Sequence, residues 1–500
     1  MQWLSCADVI DVPLDPAKAD CAVYPVPRDY AQPSEGTIDL VMLRRRATDR
    51  AHRVGSLFVN PGGPGASGLH QVYRAERFLS ADVVARHDVI GFDPRGVGLS
   101  SPVRCFRTLE EHNETFEHRL TVPVTADEIA ATLRAGSAYS DLCRRNAGSL
   151  LPHLSTLNVA RDLERMRQGV GDDQISYVGF SYGTLIGATY ANLFPSRVRA
   201  MVLDANLDPT LHMGDGLEYD RQRARGYEIA LGAFLRECSR AGARCPFGGG
   251  DVRAKLDQVR TRLRHAPITL PSGQQVTLSG FTSRLAGGLA SQTELPALAA
   301  SLADLYGVLH PQSARPADAG AAGDFAGQTT AAAGETGERP YTGNDAEFGV
   351  DCLDKPLPPT ATVFPRAATK WEREFPTFGR MQAFDSVPCA TWPARWWQSE
   401  RYPGPWNRPT AHPVLVVGNY YDPVTQYEFS RRMAEQLGRG RLLSVAMIGH
   451  TALGLNICAD EITARYLLNG ELPRPDVVCT PDSSPFGVTT EPSVRPSGTP

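Results

Sequence analysis

The 500-residue sequence contains 42% hydrophobic and 21% charged residues, a globular composition that excludes wholesale disorder and collagen-like repeats. Its formal net charge is −4 at pH 7, so no basic excess favours a nucleic-acid partner and none is expected. No apolar stretch reaches the roughly 18 residues that a membrane-spanning helix requires, so no transmembrane segment is expected.

Short apolar runs that end in Gly, Asn or Asp recur along the chain. Such runs are typical of strands that are buried on both faces of a parallel sheet. These runs predict strands at 55–60, 87–93, 174–179, 200–204, 413–418 and 441–445, whereas residues 37–44 alternate in polarity and predict an edge strand. Helical spacing of apolar residues predicts helices at 159–169, 184–194 and 429–437. Alternation of strands and helices indicates the α/β class.

The rhythm of strands disappears between residues 206 and 408. We therefore predict four parts: a first core segment at 1–205, an inserted and mainly helical cap at 206–408, a second core segment at 409–480, and a disordered tail at 481–500. The cap includes a Gly/Ala/Thr-rich run at 311–343, which is predicted to be a mobile surface segment.

Ten cysteines fall along the chain as five sequential neighbours. They lack C-x2-C spacing and a histidine cluster, so no metal site is expected. The proposed disulfides are Cys6–Cys21, Cys105–Cys143, Cys238–Cys245, Cys352–Cys389 and Cys458–Cys479. Such a cysteine count persists in oxidising compartments, so we expect a secreted or cell-envelope protein. The first residues do not form a signal peptide, which would then have been removed. Ten free thiols in a cytosolic protein are the alternative.

The sharpest motif is the G-x-S-x-G pattern Gly179-Phe180-Ser181-Tyr182-Gly183. It lies between a predicted strand and a predicted helix, where a tight turn exposes the serine hydroxyl above the sheet. Ser181 is therefore the candidate nucleophile. The alternative is a glycine-rich turn whose serine caps the helix.

A serine hydroxyl needs a base to accept its proton, and the base needs an acid to orient it. His450 follows the predicted strand 441–445, and Asp422 follows the strand 413–418, so both fall in loops after strands. The chain order Ser181, Asp422, His450 is the nucleophile–acid–base order of α/β hydrolases. For Asp422, a purely turn-forming Asp-Pro is the alternative.

An acyl-transfer reaction also needs N–H donors for the oxyanion. The amide of Tyr182 is one candidate, and Gly63 in the loop Asn60-Pro61-Gly62-Gly63-Pro64-Gly65 is the other. A glycine-proline turn without function is the alternative. The motif Asp93-Pro94-Arg95 follows another strand and is assigned a structural role that braces the loops around the site.

These motifs, together with Asp422-Pro423-Val424-Thr425 and Gly449-His450, resemble the secreted actinobacterial tripeptidyl aminopeptidases, which are α/β hydrolases related to proline iminopeptidase. The resemblance covers nearly the whole chain. It implies an α/β-hydrolase fold and a serine exopeptidase that removes short peptides from free N-termini without a cofactor. Thr451 and Gln426 depart from the family pattern beside the candidate triad, which puts substrate preference in question.

An aminopeptidase must recognise the ammonium group of its substrate, and a carboxylate in the cap would do this. Glu347, Asp351 and Asp354 are the candidates, while a solvated acidic segment is the alternative. Two other functions stay open at this point. One is an esterase or lipase that uses the same triad, and the other is a non-catalytic binding protein with a hydrolase fold.

Overall fold

The computed structural model describes residues 1–10, 18–311, 339–343, 345–392 and 400–487. Most of the run at 311–343 lies outside the described residues, and so does the part of the predicted tail from residue 488 onward.

A nine-stranded sheet forms the centre of the molecule, and a separate two-stranded hairpin lies outside it. The strands are β1 (Ala19–Pro27), β2 (Thr37–Arg45), β3 (Gly55–Asn60), β4 (His87–Phe92), β5 (Ile175–Phe180), β6 (Val198–Asp204), β7 (Ile268–Thr269), β8 (Gln275–Val276), β9 (Val414–Tyr421), β10 (Gly440–Ile448) and β11 (Val478–Cys479). Their order in the large sheet is β1-β2-β4-β3-β5-β6-β9-β10-β11. Among the described strands of this large sheet, only the pairs β1–β2 and β2–β4 are antiparallel, so the sheet is mostly parallel, as the sequence predicts.

Helices cover both faces of this sheet. They are α1 (Leu69–Tyr73), α2 (Ala81–Arg86), α3 (Leu109–Phe116), α4 (Ala126–Asn146), α5 (Thr156–Val170), α6 (Tyr182–Leu193), α7 (Pro209–Gly214), α8 (Gly216–Ala241), α9 (Val252–His265), α10 (Leu278–Leu289), α11 (Leu295–Leu309), α12 (Ala346–Asp354), α13 (Val363–Glu374), α14 (Gly379–Asp385), α15 (Tyr427–Gln436) and α16 (Ile457–Asn469). No helix in the described part of the chain has the length and apolarity that a membrane crossing requires.

The central strands are apolar because the sheet is covered on both sides. Every residue of β4 and β5 is buried. Successive side chains of β3 alternate between the two layers: Phe58 packs in one apolar cluster, while Leu57 and Val59 pack in the other. A continuous apolar run in the sequence is the signature of this two-sided burial.

The described chain between β6 and β9 contains helices α7 to α14 and, as strands, only the hairpin β7–β8. We call this segment the helical region. Its helices α8 to α11 enclose a third apolar cluster that includes Phe234, Leu256 and Leu302. This helical content agrees with the expected cap, whereas the predicted domain boundaries stay a prediction.

All five predicted disulfides are present, and they leave none of the ten cysteines free. Each bridge joins cysteines that are neighbours in sequence, with separations from 7 to 38 residues. The bridges therefore fasten local segments rather than distant parts of the fold.

The Asp93-Pro94-Arg95 motif is structural, but its two charges do not pair with each other. Asp93 accepts hydrogen bonds from Ser67 Oγ at 2.5 Å and from the Leu99 amide at 2.9 Å. Arg95 is fully buried and forms an ion pair of 2.7 Å with Asp162. The motif thus braces the loop after β4 through two separate sets of contacts.

Candidate active site

Ser181 occupies the sharp turn between β5 and α6. Its backbone has φ 52° and ψ −124°, a conformation that costs energy for any residue other than glycine. The Ser181 amide donates to the Asp204 carbonyl at 3.0 Å, which ties the turn to the end of β6. Ser181 is only partly buried, although the residues of α6 that follow it are buried. The serine therefore stands at the carboxyl edge of the sheet, as the motif predicts.

The glycines near this turn are required by close approach of the backbone. A Cβ atom at Gly62 would lie 2.4 Å from the Phe180 carbonyl oxygen and 2.9 Å from the Tyr182 nitrogen. A Cβ atom at Gly183 would lie 2.8 Å from the Asn60 carbonyl oxygen. The loop after β3 is thus pressed against the serine turn, and a side chain at either position would push them apart.

His450 and Asp422 are in direct contact. Nδ1 of His450 lies 2.9 Å from Oδ2 and 3.1 Å from Oδ1 of Asp422. The Asp422 carboxylate is buried, and it also accepts hydrogen bonds from the amides of Val424 and Thr425, each at 2.8 Å. With Nδ1–H donating to Asp422, Nε2 of the neutral imidazole is left as the proton acceptor.

The electrostatic setting favours a charged imidazole. Burial lowers the pKa of His450, but the negative charge of Asp422 and the hydrogen bond that Nδ1–H donates to it outweigh burial, so the pKa lies above its ordinary value. A nearby guanidinium, that of Arg223, acts in the opposite direction. The Asp422–His450 pair is therefore suited to accept a proton and hold it during a reaction.

Asp204 joins the serine turn to the histidine loop. Its carbonyl binds the Ser181 amide, while its carboxylate accepts hydrogen bonds from the amides of Ala452 and Leu453, each at 2.9 Å. From the other side, the Asn419 amide group donates to the carbonyls of Gly449 and Thr451 at 2.9 and 2.7 Å. These contacts fix the residues on both sides of His450.

The loop after β3 contains Gly63, the second candidate donor for the oxyanion. The Gly62 amide donates to the Asn60 side chain at 2.9 Å, so this N–H is already engaged. Gly63 is the next residue and is exposed, whereas Tyr182 is buried. The role of Gly63 and Tyr182 as oxyanion donors stays a prediction.

The three candidate carboxylates do not share one environment. Glu347 lines a cavity of about 650 Å³. Asp351 is partly exposed and lies 3.8 Å from the buried Lys355 ammonium. Asp354 is fully buried and accepts hydrogen bonds from the Thr156 amide and hydroxyl. Glu347 and Asp351 therefore stay candidates for binding a substrate, while Asp354 holds α12 against α5.

Two charged residues beside the site were not predicted. Arg223 on α8 pairs with Asp385 on α14 at 2.7 Å, and Asp385 lines the same cavity as Glu347. Glu347 is exposed at the cavity, and the desolvation of its carboxylate among neighbouring atoms, together with the charges of Asp351 and Asp385, raises the pKa of Glu347 to about 7. Neither Arg223 nor Asp385 belongs to a motif, so the sequence alone gives no indication of either residue.

A second group of polar residues lies away from this site. One ligand atom from each of Asp29, His153 and Glu400 falls within 4.8 Å of the others. Glu400 accepts from the side chain of Asn158, and its contact with His153 Nδ1 is 3.1 Å. Hydrogen bonding within the protein accounts for this group.

The chain has relatives of known name. A tripeptidyl aminopeptidase of Streptomyces lividans is 30% identical over 497 residues, covering 97% of this chain and 87% of the relative. The serine protease Hip1 of Mycobacterium tuberculosis is 29% identical over 496 residues, covering 96% and 91%. A carboxylesterase B of the same organism is 31% identical over 495 residues, covering 96% and 90%.

Two family models match separate parts of the chain. The family described as "alpha/beta hydrolase fold" matches residues 55–228, and the one described as "TAP-like protein" matches residues 375–479. The sheet order and the serine turn define an α/β hydrolase. Within that class, the chain belongs to the tripeptidyl aminopeptidase family, which confirms the resemblance drawn from the motifs.

Proposed function

We propose that the protein is a serine exopeptidase of the tripeptidyl aminopeptidase type, which cleaves short peptides from free N-termini through an acyl-enzyme. The observation that carries this proposal is the Asp422–His450 hydrogen bond, held by Asp204 next to the strained turn of Ser181. The names of the Streptomyces and Hip1 relatives support a peptide substrate.

The mechanism follows from the roles that these groups can take. His450 accepts the proton of Ser181 through Nε2 while Oγ attacks the peptide carbonyl, and Asp422 stabilises the imidazolium that forms. The amides of Tyr182 and Gly63 bind the oxyanion. The imidazolium then gives its proton to the leaving amine, and His450 next activates a water molecule that hydrolyses the acyl-enzyme.

The substrate ammonium is recognised by the carboxylates of the helical region. Glu347 and Asp351 lie on one helix, α12, and the pKa of Glu347 is raised to about 7. An ammonium group beside Glu347 favours the ionised carboxylate. KM for peptides with a free amine should therefore rise as the pH falls below 7, because Glu347 then becomes protonated.

Ester hydrolysis is the second candidate function. It is favoured by the 31% identical relative named carboxylesterase B, and the same three side chains would perform it. A tripeptidyl amide and a short-chain acyl ester, compared at equal enzyme concentration, separate the two functions. A larger kcat/KM for the ester would favour the esterase.

The test combines active-site labelling with product analysis. Wild type should react with a fluorophosphonate probe, and Ser181→Ala should not, while its circular dichroism spectrum stays native. Mass spectrometry of a mixed peptide library should then show short N-terminal fragments, which disappear when the peptides are N-acetylated. Equal cleavage of acetylated peptides would contradict the exopeptidase, and activity in Ser181→Ala would contradict the mechanism.

We also infer that the protein works outside the cytosol, either secreted or associated with the cell envelope. Five disulfides support this location, since structural disulfides persist in oxidising compartments.

A further inference from the structure

The cavity that contains Glu347 is lined by both aromatic rings and charged side chains. Its volume is about 650 Å³, within the range of pockets that bind small organic molecules. Phe116, Tyr139, Phe348 and Phe384 line it, together with Met381. The ring centroids of Tyr139 and Phe348 are 5.4 Å apart, and those of Phe116 and Tyr139 are also 5.4 Å apart. These rings form a continuous apolar wall with the geometry of aromatic pairs.

The cavity adjoins the candidate active site through α8. Arg223 reaches the cavity by its ion pair with Asp385. One turn further along the same helix, Gly226 packs on the turn of Asp422, where a Cβ atom would lie 3.0 Å from the Pro423 carbonyl oxygen. The neighbouring Gln426 side chain donates to the Gln222 carbonyl at 2.8 Å. Helix α8 therefore contacts both the turn of Asp422 and a residue that lines the cavity, and the charge of Arg223 acts on both Glu347 and His450. The cavity is thus a neighbour of the candidate site.

Of the carboxylates that the described residues contribute to the cavity lining, two have hydrogen-bonding or ionic partners and one does not. Asp345 accepts hydrogen bonds from the Tyr139 and Tyr341 hydroxyls at 2.8 and 3.2 Å, and Asp385 is paired with Arg223. In the described part of the chain, no hydrogen bond or ion pair engages the Glu347 carboxylate. Apolar rings beside one unpaired carboxylate match a ligand that carries a single cation and an apolar group close together.

We propose that this cavity is the subsite for the N-terminal residue of the substrate, and that it selects an aromatic or large aliphatic side chain there. The inference rests on the proposed exopeptidase function and adds the side-chain class. The α-ammonium binds Glu347, and the adjacent side chain packs on Phe116, Tyr139 and Phe348.

A basic N-terminal side chain fits this cavity poorly. The guanidinium of Arg119 lies over the rings of Phe116 and Phe348, at 5.3 and 5.8 Å from their centroids. This positive charge occupies the ring faces, so it repels a cationic side chain packed on them, whereas the α-ammonium is placed beside the Glu347 carboxylate. An aromatic side chain meets no such repulsion, because it can stack on the ring edges and on the guanidinium plane.

The test uses fluorogenic tripeptides X-Ala-Ala-aminomethylcoumarin in which X is Phe, Leu, Ala or Lys. For wild type, kcat/KM should be at least about 10-fold higher for Phe than for Ala, because a fully buried large side chain gains about 1.5–3 kcal/mol. Lys should rank below Leu. Equal values for Phe and Ala, or a preference for Lys, would overturn the inference while leaving the exopeptidase intact.

Two variants locate the selectivity. Phe348→Ala removes part of the wall, and Thr121→Trp fills the cavity from an exposed position; both should reduce the Phe/Ala ratio to about 3-fold or less. Phe375→Ala is the matched control, since Phe375 is also partly buried beneath a guanidinium, that of Arg221 at 6.0 Å, but does not line the cavity.

Each result has a distinct meaning. A lower ratio in both cavity variants and an unchanged ratio in the control support the subsite. An unchanged ratio in a natively folded Thr121→Trp overturns it. If wild type cleaves none of the four peptides, the exopeptidase proposal fails, and the subsite inference fails with it.

Discussion

Asp422 determines both the orientation and the charge of the candidate base. Its carboxylate contacts His450 Nδ1 at 2.9 Å and helps to raise the pKa of the imidazole. We expect Asp422→Asn to reduce kcat/KM for a tripeptidyl amide by about 10³–10⁴-fold. The imidazole would no longer be held in the tautomer that carries its proton on Nδ1, and it would lose the negative charge that stabilises its protonated form. A pH–rate series should show the acid limb of the residual activity at lower pH than in wild type.

The sign of that shift follows from the pKa. His450 acts as a base only when neutral, so activity falls as the pH drops through its pKa. Removing the carboxylate removes the main cause that raises this pKa, and the limb moves down. An acid limb that stays in place in a folded Asp422→Asn would show that another group controls it, and Ser181→Ala provides the background rate.

The protonation state of Asp204, which contacts both the serine turn and the histidine loop, also affects the free energy of unfolding. It is fully buried, and burial raises its pKa from 3.8 to about 6 despite the hydrogen bonds from the Leu453 and Ala452 amides. The folded state therefore binds a proton that the unfolded state has lost between pH 4 and 6. The free energy of unfolding contributed by this group falls as the pH rises through that window and stays low above it.

Asp204→Asn should abolish this dependence. Relative to the variant, wild type should lose about 2 kcal/mol of unfolding free energy between pH 4 and pH 8, since one pKa unit corresponds to about 1.4 kcal/mol and the unfolded carboxyl is already more than half ionised at pH 4. Urea unfolding at the two pH values measures the difference. Unfolding curves that keep the same separation at both pH values would contradict this, and near-UV circular dichroism checks that the variant is native.

At the scale of elements, α12 is positioned by a disulfide. Cys352–Cys389 joins α12, which carries Glu347 and Asp351, to the chain just after α14, which carries Asp385. Replacing both cysteines with serine should destabilise the protein by about 4 kcal/mol, since the bridge closes a loop of 37 residues. KM for free-amine tripeptides should also rise, because the carboxylates on α12 would no longer be held at a fixed distance from Asp385 on α14.

The bridge Cys238–Cys245 provides the control for this effect. It closes a loop of only 7 residues at the end of α8, so its removal should cost about 2 kcal/mol. Its loss should leave KM unchanged. Thermal melts and steady-state kinetics on both double variants separate stability from binding, and a KM change of equal size in both would refute the positional role.

The elements that the sequence predicts best are those with a strict local pattern. The strands β3 to β6, β9 and β10 are apolar on both faces, so each appears as a continuous run. β1 was missed because Pro25 and Pro27 weaken the strand pattern, yet prolines are tolerated on the edge strand that β1 forms. The prediction of β2 as the edge strand is therefore wrong, because β2 pairs with both β1 and β4. The sequence therefore predicts best the strands that are buried on both faces of the sheet.

The residues of the candidate site likewise fall into two groups, those that the sequence predicts and those that it does not. Ser181, Asp422 and His450 follow predicted strands, and parallel strands bring their carboxyl ends to one edge, so these residues could be found from the sequence. Arg223 and Asp385 could not, because they meet only through the packing of α8 on α14. Residues that form a local turn can be recognised from the sequence alone, whereas a contact between two helices that are distant in sequence depends on the whole fold.

At the scale of the molecule, the helical region and the core meet at the candidate site. The His450 amide donates to the Ala290 carbonyl at the end of α10, at 2.8 Å. Asp354 of α12 is bonded to Thr156 of α5, whose hydroxyl lies 2.6 Å from that of Tyr182. The residue after the nucleophile and the candidate base thus each depend on the helical region, so its loosening should reduce activity before the core unfolds.

The five disulfides should resist reduction to different extents in the native protein. A reductant must reach a sulfur atom, and nearly all of these cysteines are buried; Cys458 is the exception, being partly exposed. Brief treatment with dithiothreitol, followed by alkylation and peptide mass spectrometry, should therefore label Cys458 and Cys479 first. Activity should persist at that stage, because the other four bridges still hold the core and the helical region. In guanidinium chloride all ten cysteines should react together, and early labelling of Cys105 or Cys143 in the native protein would contradict the burial order.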